Sequence, residues 1–372
     1  MNFQLFTSAN AEFVGNELDG MNFKLNRVRL EIKGDVGKWL GYHYRQSFNK
    51  YSDPYSLDNL SSSLELAYVN LKARHNLNFT IGKQFVNFGG YEYYVNSIRV
   101  REFSEFNNLL TAYQAGISGN WQVNPDHELC FQIVNNRNGN DEDIYYRTSR
   151  GTAKAKIPFM YTVNWNSYYL DKTLQLRYAT AVGQQTRKRY SYYFTCGNTY
   201  EKGPLLTYLD VMYTRQGIDQ HGVVSRLPGT PHTAMNTEYL SIIGDVDYRV
   251  HPQWNVYVKG AYETARVYKG NGDFRKGMYR RSWNAQSSVE FFPFKQLDLF
   301  VFVLYTYRGV ILEKAATRMG AIEPDTHRIS LGWSIRSRSS DKPRIPHPPH
   351  KKSGAFRFRR HRPHSIIKDL LY

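Results

Sequence analysis

The sequence predicts an all-β protein, a transmembrane antiparallel β-barrel of about 16 strands with short periplasmic turns and long extracellular loops. Three observations lead to this fold class. Segments of alternating polarity run through most of the chain, and the connections between them are in turn short and long. The composition is aromatic-rich yet hydrophilic, with 30 Tyr, 21 Phe, 6 Trp and a mean hydropathy of −0.59. Lumen, turn and loop residues dilute the lipid-facing residues of such a barrel in this way.

The alternation is clearest in residues 240–250, 254–263 and 327–336, where apolar residues share one parity and mostly polar residues the other. Successive side chains of a strand point to opposite faces, so each segment has one apolar and one polar face. A soluble β-sandwich alternates in the same way, so this pattern alone does not separate lipid from water.

We predict strands at residues 2–14, 22–34, 39–49, 62–72, 77–87, 111–122, 127–136, 158–168, 172–185, 190–198, 205–216, 237–251, 254–268, 281–292, 297–308 and 326–336. Short connections rich in turn formers lie at 35–38, 73–76, 123–126, 169–171, 251–253 and 293–296. Long ones lie at 50–61, 88–110, 137–157, 217–236, 269–280 and 309–325. The connection at 186–189 departs from this order, because it should be long and is short. A change of parity between Leu25 and Val28 predicts a β-bulge near Asn26 and Arg27.

The sequence offers no membrane-spanning helix, since its longest apolar run, 299–305, is far short of the roughly 18 to 20 residues that such a helix needs. Crossing as strands requires a closed sheet. We expect the outer membrane as the location. The first residues lack the pattern of a signal peptide, so we expect that a leader has been removed or lies upstream.

Residues 337–372 lack the alternation, are rich in Pro, His and Arg, and carry a large share of the net charge of +17. We therefore divide the chain into a barrel over residues 1–336 and a basic tail over residues 337–372, which we expect to be disordered. A proline-rich ligand, a histidine metal site, a polyanion-binding arm and an out-of-frame C-terminus are the alternative interpretations of the tail.

The polar faces of several strands carry cations, which would line the lumen if the apolar faces meet lipid. This predicted basic wall comprises Arg27, Arg29, Lys33, Arg45, Arg177, Lys259 and Arg328. Fixed positive charge attracts small anions and raises their local concentration. Carboxylates such as Glu31, Glu65 and Asp210 share the inward parity, so the basic excess is modest, and a mixed wall that merely stays wet is the alternative.

The connection from Phe88 to Leu110 has unusual content for a solvated loop, since it combines aromatic and aliphatic residues with charges. We expect it to fold into the barrel and narrow the pore, where charged side chains set selectivity at short range. The predicted constriction residues are Arg99, Arg101, Glu102 and Glu105. An outward loop with solvated charges is the alternative.

We find no motif for catalysis and expect neither an enzyme nor a cofactor. The acidic stretch Asn138–Asp143 has oxygen ligands but lacks the spacing of a calcium loop. A solvated loop tip is the better interpretation. We also treat Cys130 and Cys196 as incidental, and we predict no metal site.

Three stretches in the first third of the chain, Phe23–Gly34, Leu64–Val69 and Ile81–Gly89, resemble the phosphate-selective porin O and P family of Gram-negative outer membranes. The chain departs from that family at Phe85–Gly89, where a Lys-Pro-Pro-Phe-Gly-like stretch would be expected. Phosphate-using homologues cluster Arg and Lys in the lumen. The resemblance thus implies a porin, and relatives of this kind are trimers.

We therefore expect a passive diffusion channel for small hydrophilic solutes, with anions or phosphate preferred, and a homotrimer surrounded by outer-membrane lipid. Two other functions are considered. One is a surface receptor or adhesin that uses its long loops and has no open pore. The other is a soluble basic β protein that binds nucleic acid, whose affinity would depend strongly on salt.

Overall fold

The computed structural model describes residues 1–49, 61–94, 100–137, 145, 152–227, 230, 232–294 and 297–338. These residues form one closed antiparallel barrel of sixteen strands, so the predicted fold class is confirmed. The strands are β1 (Asn2–Val14), β2 (Glu17–Val36), β3 (Leu40–Ser47), β4 (Leu64–Arg74), β5 (Leu77–Phe85), β6 (Tyr113–Asn124), β7 (His127–Asn135), β8 (Phe159–Tyr169), β9 (Leu174–Thr186), β10 (Arg189–Lys202), β11 (Leu205–Ile218), β12 (Met235–His251), β13 (Trp254–Val267), β14 (Gly277–Phe291), β15 (Asp298–Leu312) and β16 (Thr326–Arg338). Among the described residues, two short helices, α1 (Glu105–Leu109) and α2 (Lys314–Thr317), lie in connections.

Each strand pairs with its neighbours in the sequence, and β1 pairs with β16 to close the sheet, with Ala9 opposite Leu331. Closure leaves no unpaired sheet edge, which a lipid environment requires. None of the helices in the described ranges is long and apolar enough to span a membrane. Strand β16 extends two residues into the predicted tail, and residues 339–372 of that tail lie outside the described residues.

The two faces of the sheet differ as the alternation predicts. Outward side chains are large, apolar and exposed, as shown by Phe131 at 52%, Val303 at 51% and Leu331 at 56% of their full accessible area. Inward side chains at neighbouring positions, such as Gln132 and Ser330, are polar and buried. A water-soluble protein would have the reverse arrangement, so this exterior suits hydrocarbon.

Two of the β-bulges change which residues of β2 and β4 face the lumen. In β2, Arg27 pairs with Phe6 while Leu25 pairs with Thr7, which leaves Asn26 as the extra residue and confirms the predicted bulge. In β4, Leu66 pairs with Arg45 while Leu64 pairs with Gln46. Glu65 is therefore an extra residue that the sequence did not reveal, and it is fully buried.

The connections confirm the predicted order at one end of the barrel, where all are short. At the other end, only Arg187 and Lys188 separate β9 from β10, so the connection at 186–189 is short in the structure as in the sequence. The first connection is shorter than predicted, since β2 begins at Glu17 rather than near residue 22.

Candidate functional site

The described part of the connection between β5 and β6, residues 86–94 and 100–112, lies inside the barrel. We call residues 86–112 the inner loop. Its apolar side chains Val86, Phe88, Tyr91 and Phe106 are buried and belong to a cluster that extends to the strands of the far wall. The inner loop therefore crosses the lumen and packs against the side formed by β10 to β14.

A buried carboxylate fixes the start of the inner loop. Asp210 on β11 accepts hydrogen bonds from the backbone N–H of Tyr91, at 2.8 Å to Oδ2, and of Glu92, at 2.8 Å. The close approach depends on glycine, because a Cβ atom on Gly197 of β10 would lie 2.6 Å from the Cα atom of Gly90. Gly90 itself has a φ of +75°, which other residues rarely adopt.

A second carboxylate fixes helix α1. The Ser104 hydroxyl caps the helix by accepting a bond from Asn107 N–H at 3.3 Å. Glu263 on β13 accepts from Glu105 N–H at 3.0 Å and from Phe106 N–H at 2.8 Å. The free N–H groups at a helix N-terminus favour a negative partner, so this contact holds the helix against the wall.

A buried ion pair links two parts of the inner loop, one at Glu92 and one near Ser104. Glu92 is fully buried, accepts from the Ser104 hydroxyl at 2.6 Å and pairs with Lys259 of β13. Lys259 also donates to the Glu102 carbonyl oxygen at 2.7 Å. Lys259, a predicted member of the basic wall, thus faces inward but lies beneath the inner loop, where it neutralises Glu92.

The predicted constriction residues are paired with the wall rather than with each other. Arg101 pairs with Glu290 of β14, and Glu102 pairs with Arg328 of β16. Glu105 accepts from Arg280 of β14 at 2.5 Å. Burial opposes the charge of Arg101, but Glu290 and Asp247 outweigh it and raise the pKa of Arg101. Arg99, the remaining member, lies outside the described residues.

The opposite side of the lumen carries the cations of β2 and β3. Arg29 and Arg45 lie 3.0 and 2.9 Å from the same Glu65 oxygen, so two guanidinium groups share one carboxylate. The bulge at Glu65 makes this arrangement possible, because the extra residue turns its side chain inward beside them. Ser47 donates to Glu65 at 2.8 Å and completes the cluster.

Other cations of the basic wall are less tightly held. Arg27 has an Nη1 atom with no hydrogen-bond partner among the described residues. Lys33 lies 3.5 Å from Glu31, which His43 also contacts at 2.7 Å. Arg177 is separate from this group, since its guanidinium stacks 3.9 Å above the ring of Tyr94 in the inner loop.

His221, in the connection that follows β11, packs against the inner loop. Its ring lies 5.0 Å from the ring of Phe106 and 5.0 Å from that of Tyr239, and the residue is only 2% exposed. Neither ring nitrogen has a hydrogen-bond partner in the described part of the chain. Burial lowers the pKa of His221 to about 3, so the ring is neutral near pH 7.

The sequence did not reveal His221 or Arg280 as site residues. Arg280 precedes the strand that we predicted at 281–292, whereas β14 begins at Gly277 and includes it. His221 lies in a connection, and its packing partners are distant in the sequence. The described residues contain no group of three or more His, Cys, Asp or Glu placed to hold a metal ion. Asn138–Asp143, considered above as calcium ligands, lie outside the described residues.

The family model of the phosphate-selective porin O and P matches residues 1–333 of the chain. The chain is a member of this porin family. The matched region covers nearly the whole barrel, including the inner loop and the strands that hold it. A search of curated proteins finds no match to this porin.

Solved structures similar to this porin are outer-membrane barrels. The outer membrane channel DcaP of Acinetobacter baumannii has a TM-score of 0.61 at 13% identity, covering 90% of this chain and 96% of that one. The anion-selective porin from Comamonas acidovorans has a TM-score of 0.57 at 10% identity, covering 90% and 98%. A trimer form of OmpT of Vibrio cholerae has a TM-score of 0.56 at 10% identity, covering 91% and 99%. At these identities the likeness shows the fold alone.

Family and fold together identify an outer-membrane diffusion channel rather than an enzyme. The soluble nucleic-acid-binding protein considered above does not fit a closed barrel with an apolar exterior.

Proposed function

We propose that this porin passes small hydrophilic anions, phosphate included, through the part of the lumen between the inner loop and the wall formed by β16, β1, β2 and β3. The observation that supports the proposal is that carboxylates on the two sides of the lumen have different partners. Arg29 and Arg45 share the single carboxylate of Glu65, which leaves this wall with an excess of positive charge. Fixed charge in a narrow, low-dielectric passage concentrates ions of the opposite sign.

On the other side, three inward carboxylates are bound to the inner loop. Asp210 and Glu263 accept backbone N–H groups of the inner loop, and Glu290 pairs with Arg101. A carboxylate that is covered and bonded in this way repels a passing anion less than a free one does, because protein groups already balance its charge. The solute path thus borders mainly on the cationic wall.

We assign the narrowing of the path to the inner loop, with Arg101, Glu102 and Glu105 at its edge. Glu102 supports this assignment, because its side chain is partly exposed and lies 4.0 Å from Arg308 of β15 as well as pairing with Arg328. We also propose a homotrimer, which the trimer form of the similar OmpT structure supports.

Reversal potentials in a potassium chloride gradient test the anion preference. The test variant is Arg27→Gln with Lys33→Gln, which removes two lumen charges and leaves the buried pairs to Glu65 intact. The control is Arg74→Gln with Lys202→Gln, which removes the same charge from exposed strand ends at the short-turn end of the barrel. We expect wild type to prefer chloride, the test variant to lose about twofold in the chloride-to-potassium permeability ratio, and the control to match wild type.

A cation-preferring wild type, or equal ratios in the test and control variants, would contradict the proposal. Channel conductance recorded in the same bilayers checks that each variant has inserted as an open barrel. A folded wild type that gives no conductance steps would favour the receptor alternative instead.

A further inference from the structure

The exterior of the barrel carries a row of cations at its loop end. Arg215 on β11, Arg266 on β13 and Arg281 on β14 have outward parity and are exposed at 48%, 43% and 43% of their side-chain areas. Arg187 and Lys188 form the exposed two-residue turn beside them. We call these five residues the basic rim. None of them faces the lumen, so the proposed solute path does not account for them.

The basic rim lies beside and just beyond outward aromatic residues. Tyr192 pairs directly with Arg215, and Trp283 lies two residues from Arg281 on the same face of β14. Tyr262 pairs with Trp283. Aromatic girdles mark the boundary between hydrocarbon and headgroups in outer-membrane barrels. The rim therefore sits at the depth of the lipid headgroups of the outer leaflet.

The rim cations are held in place but not neutralised. Glu238 lies between Arg215 at 3.3 Å and Arg266 at 3.0 Å, and the Arg215 guanidinium stacks 4.4 Å above the Tyr268 ring. Glu313 pairs with Arg281 at 2.7 Å. Among the described residues these two carboxylates are the acidic partners of the five rim cations, so positive charge is left over.

The far side of the same end of the barrel carries negative charge. At the loop end of β1 and β2, the exposed residues Glu17 and Asp19 are acidic. An anion at the membrane surface would therefore be attracted to the side of β9 to β14 and repelled from the side of β1 and β2.

We propose that the basic rim binds the phosphate groups of outer-leaflet lipid headgroups. Guanidinium groups match phosphate oxygens in geometry and charge, and stacked arginines lose little freedom on binding. Basic residues at the interface recognise anionic lipids in this way. The two-residue turn at Arg187 and Lys188 supports the proposal, because a longer loop there would hold these cations above the membrane surface.

Native mass spectrometry of the detergent-purified full chain, incubated with diphosphorylated or dephosphorylated lipid A, tests the proposal. We expect wild type to retain the diphosphorylated lipid about fivefold more than the dephosphorylated one. Arg215→Gln with Arg266→Gln and Arg281→Gln should bring the two lipids to equal retention. The same three positions changed to Lys should keep only part of the preference, because the charge remains but the planar guanidinium geometry is lost.

The matched control is Arg74→Gln with Lys172→Gln and Lys202→Gln, which removes three exposed cations at the opposite end of the barrel. It should retain lipid as wild type does. Equal retention of both lipids by wild type would overturn the proposal, as would an unchanged preference in the rim variant. The wild-type comparison decides even if the rim variant does not fold. Because the rim lies outside the lumen, its variant should keep the wild-type reversal potential whether or not the lumen prefers anions.

Discussion

The two sides of the lumen use the same residue types for different purposes. On the side of β10 to β14, inward carboxylates hold the backbone of the inner loop, as Asp210 and Glu263 show. On the side of β2 to β4, the inward carboxylate Glu65 holds two arginines instead. The difference shows that parity alone does not determine what an inward charge does. The groups packed beside an inward charge decide whether it holds the inner loop or pairs with other lumen side chains.

The side of β10 to β14, which the inner loop covers and which we call the filled side, also shows how a lumen tolerates buried charge. An unpaired buried charge is costly, and pairing with good geometry offsets that cost. Glu92 meets this condition, since it contacts Lys259, Ser104 and Asn107 at once. On the side of β2 to β4 the pairing is unequal, since Arg29 and Arg45 share one carboxylate and positive charge is left over.

The largest expected effect comes from a change that prevents the inner loop from docking. Gly197→Val would place a Cβ atom 2.6 Å from the Cα atom of Gly90, a contact that requires the backbone to move. We expect about 3 kcal/mol of lost docking stability, because overpacking adds to the loss of the Asp210 hydrogen bonds. Limited trypsin digestion should then cut at Arg101, which is 3% exposed in the docked loop.

The control for that change is Gly260→Val on β13, where an added Cβ atom meets nothing within 4 Å. It should resist trypsin as wild type does. Equal cleavage of both variants at Arg101 would show that the contact between Gly90 and Gly197 does not hold the loop.

Lowering the pH should weaken the docking of His221 on the filled side, and we expect this effect to be intermediate in size. Docking lowers the pKa of His221 from 6.5 to about 3, so the docked state favours the neutral ring and loses stability as the pH falls below about 6.5. Each pH unit below 6.5 costs about 1.4 kcal/mol, or about 2 kcal/mol between pH 7 and pH 5. Hydrogen exchange of residues 219–227, corrected for the intrinsic rate, should speed up accordingly.

Two variants sharpen the pH experiment. His221→Phe keeps a ring against Phe106 and should make exchange in this segment independent of pH. His251→Phe changes an exposed histidine at the other end of the barrel and should behave as wild type. Equal pH dependence in all three proteins would exclude His221 as the cause.

The smallest expected effect compares one carboxylate from each side. Glu65→Gln removes the charge shared by Arg29 and Arg45, so the chloride-to-potassium permeability ratio should rise by about twofold. Glu263→Gln removes a charge that the inner loop covers, so the ratio should stay within error of wild type while trypsin cleavage of the loop increases. Reversal potentials of the two variants in one gradient provide the measurement. A larger shift in Glu263→Gln than in Glu65→Gln would reverse our assignment of the two sides.

Most of the fold could be predicted from the sequence because barrel strands carry a local, period-two signal. The bulge at Asn26 was visible because apolar residues on both sides of it change parity. The bulge at Glu65 was not, since it stands among residues whose polarity gives no such contrast: Leu64, Leu66 and Ala67. The early start of β14 was missed because Gly277 and its neighbours read as a turn.

The contacts of the candidate site could be predicted only in part. The inward parity of Arg29, Arg45 and Lys259 followed from alternation, but their partners did not. Asp210 and Glu263 are more than one hundred residues from the loop atoms that they bind. No periodic pattern encodes such a pairing, so the sequence placed Lys259 beside water and the structure places it beneath the loop.

The anchors of the inner loop have a consequence for the order of assembly. The loop precedes β6 in the chain, whereas Asp210, Glu263 and Glu290 arrive with β11, β13 and β14. Contacts of high sequence separation form late in folding. In a nascent chain that stops before β11, Glu92 would lack its partner Lys259, and the N-terminus of α1 would lack its partner Glu263. The cell must therefore keep that intermediate soluble until the second half of the sheet is complete.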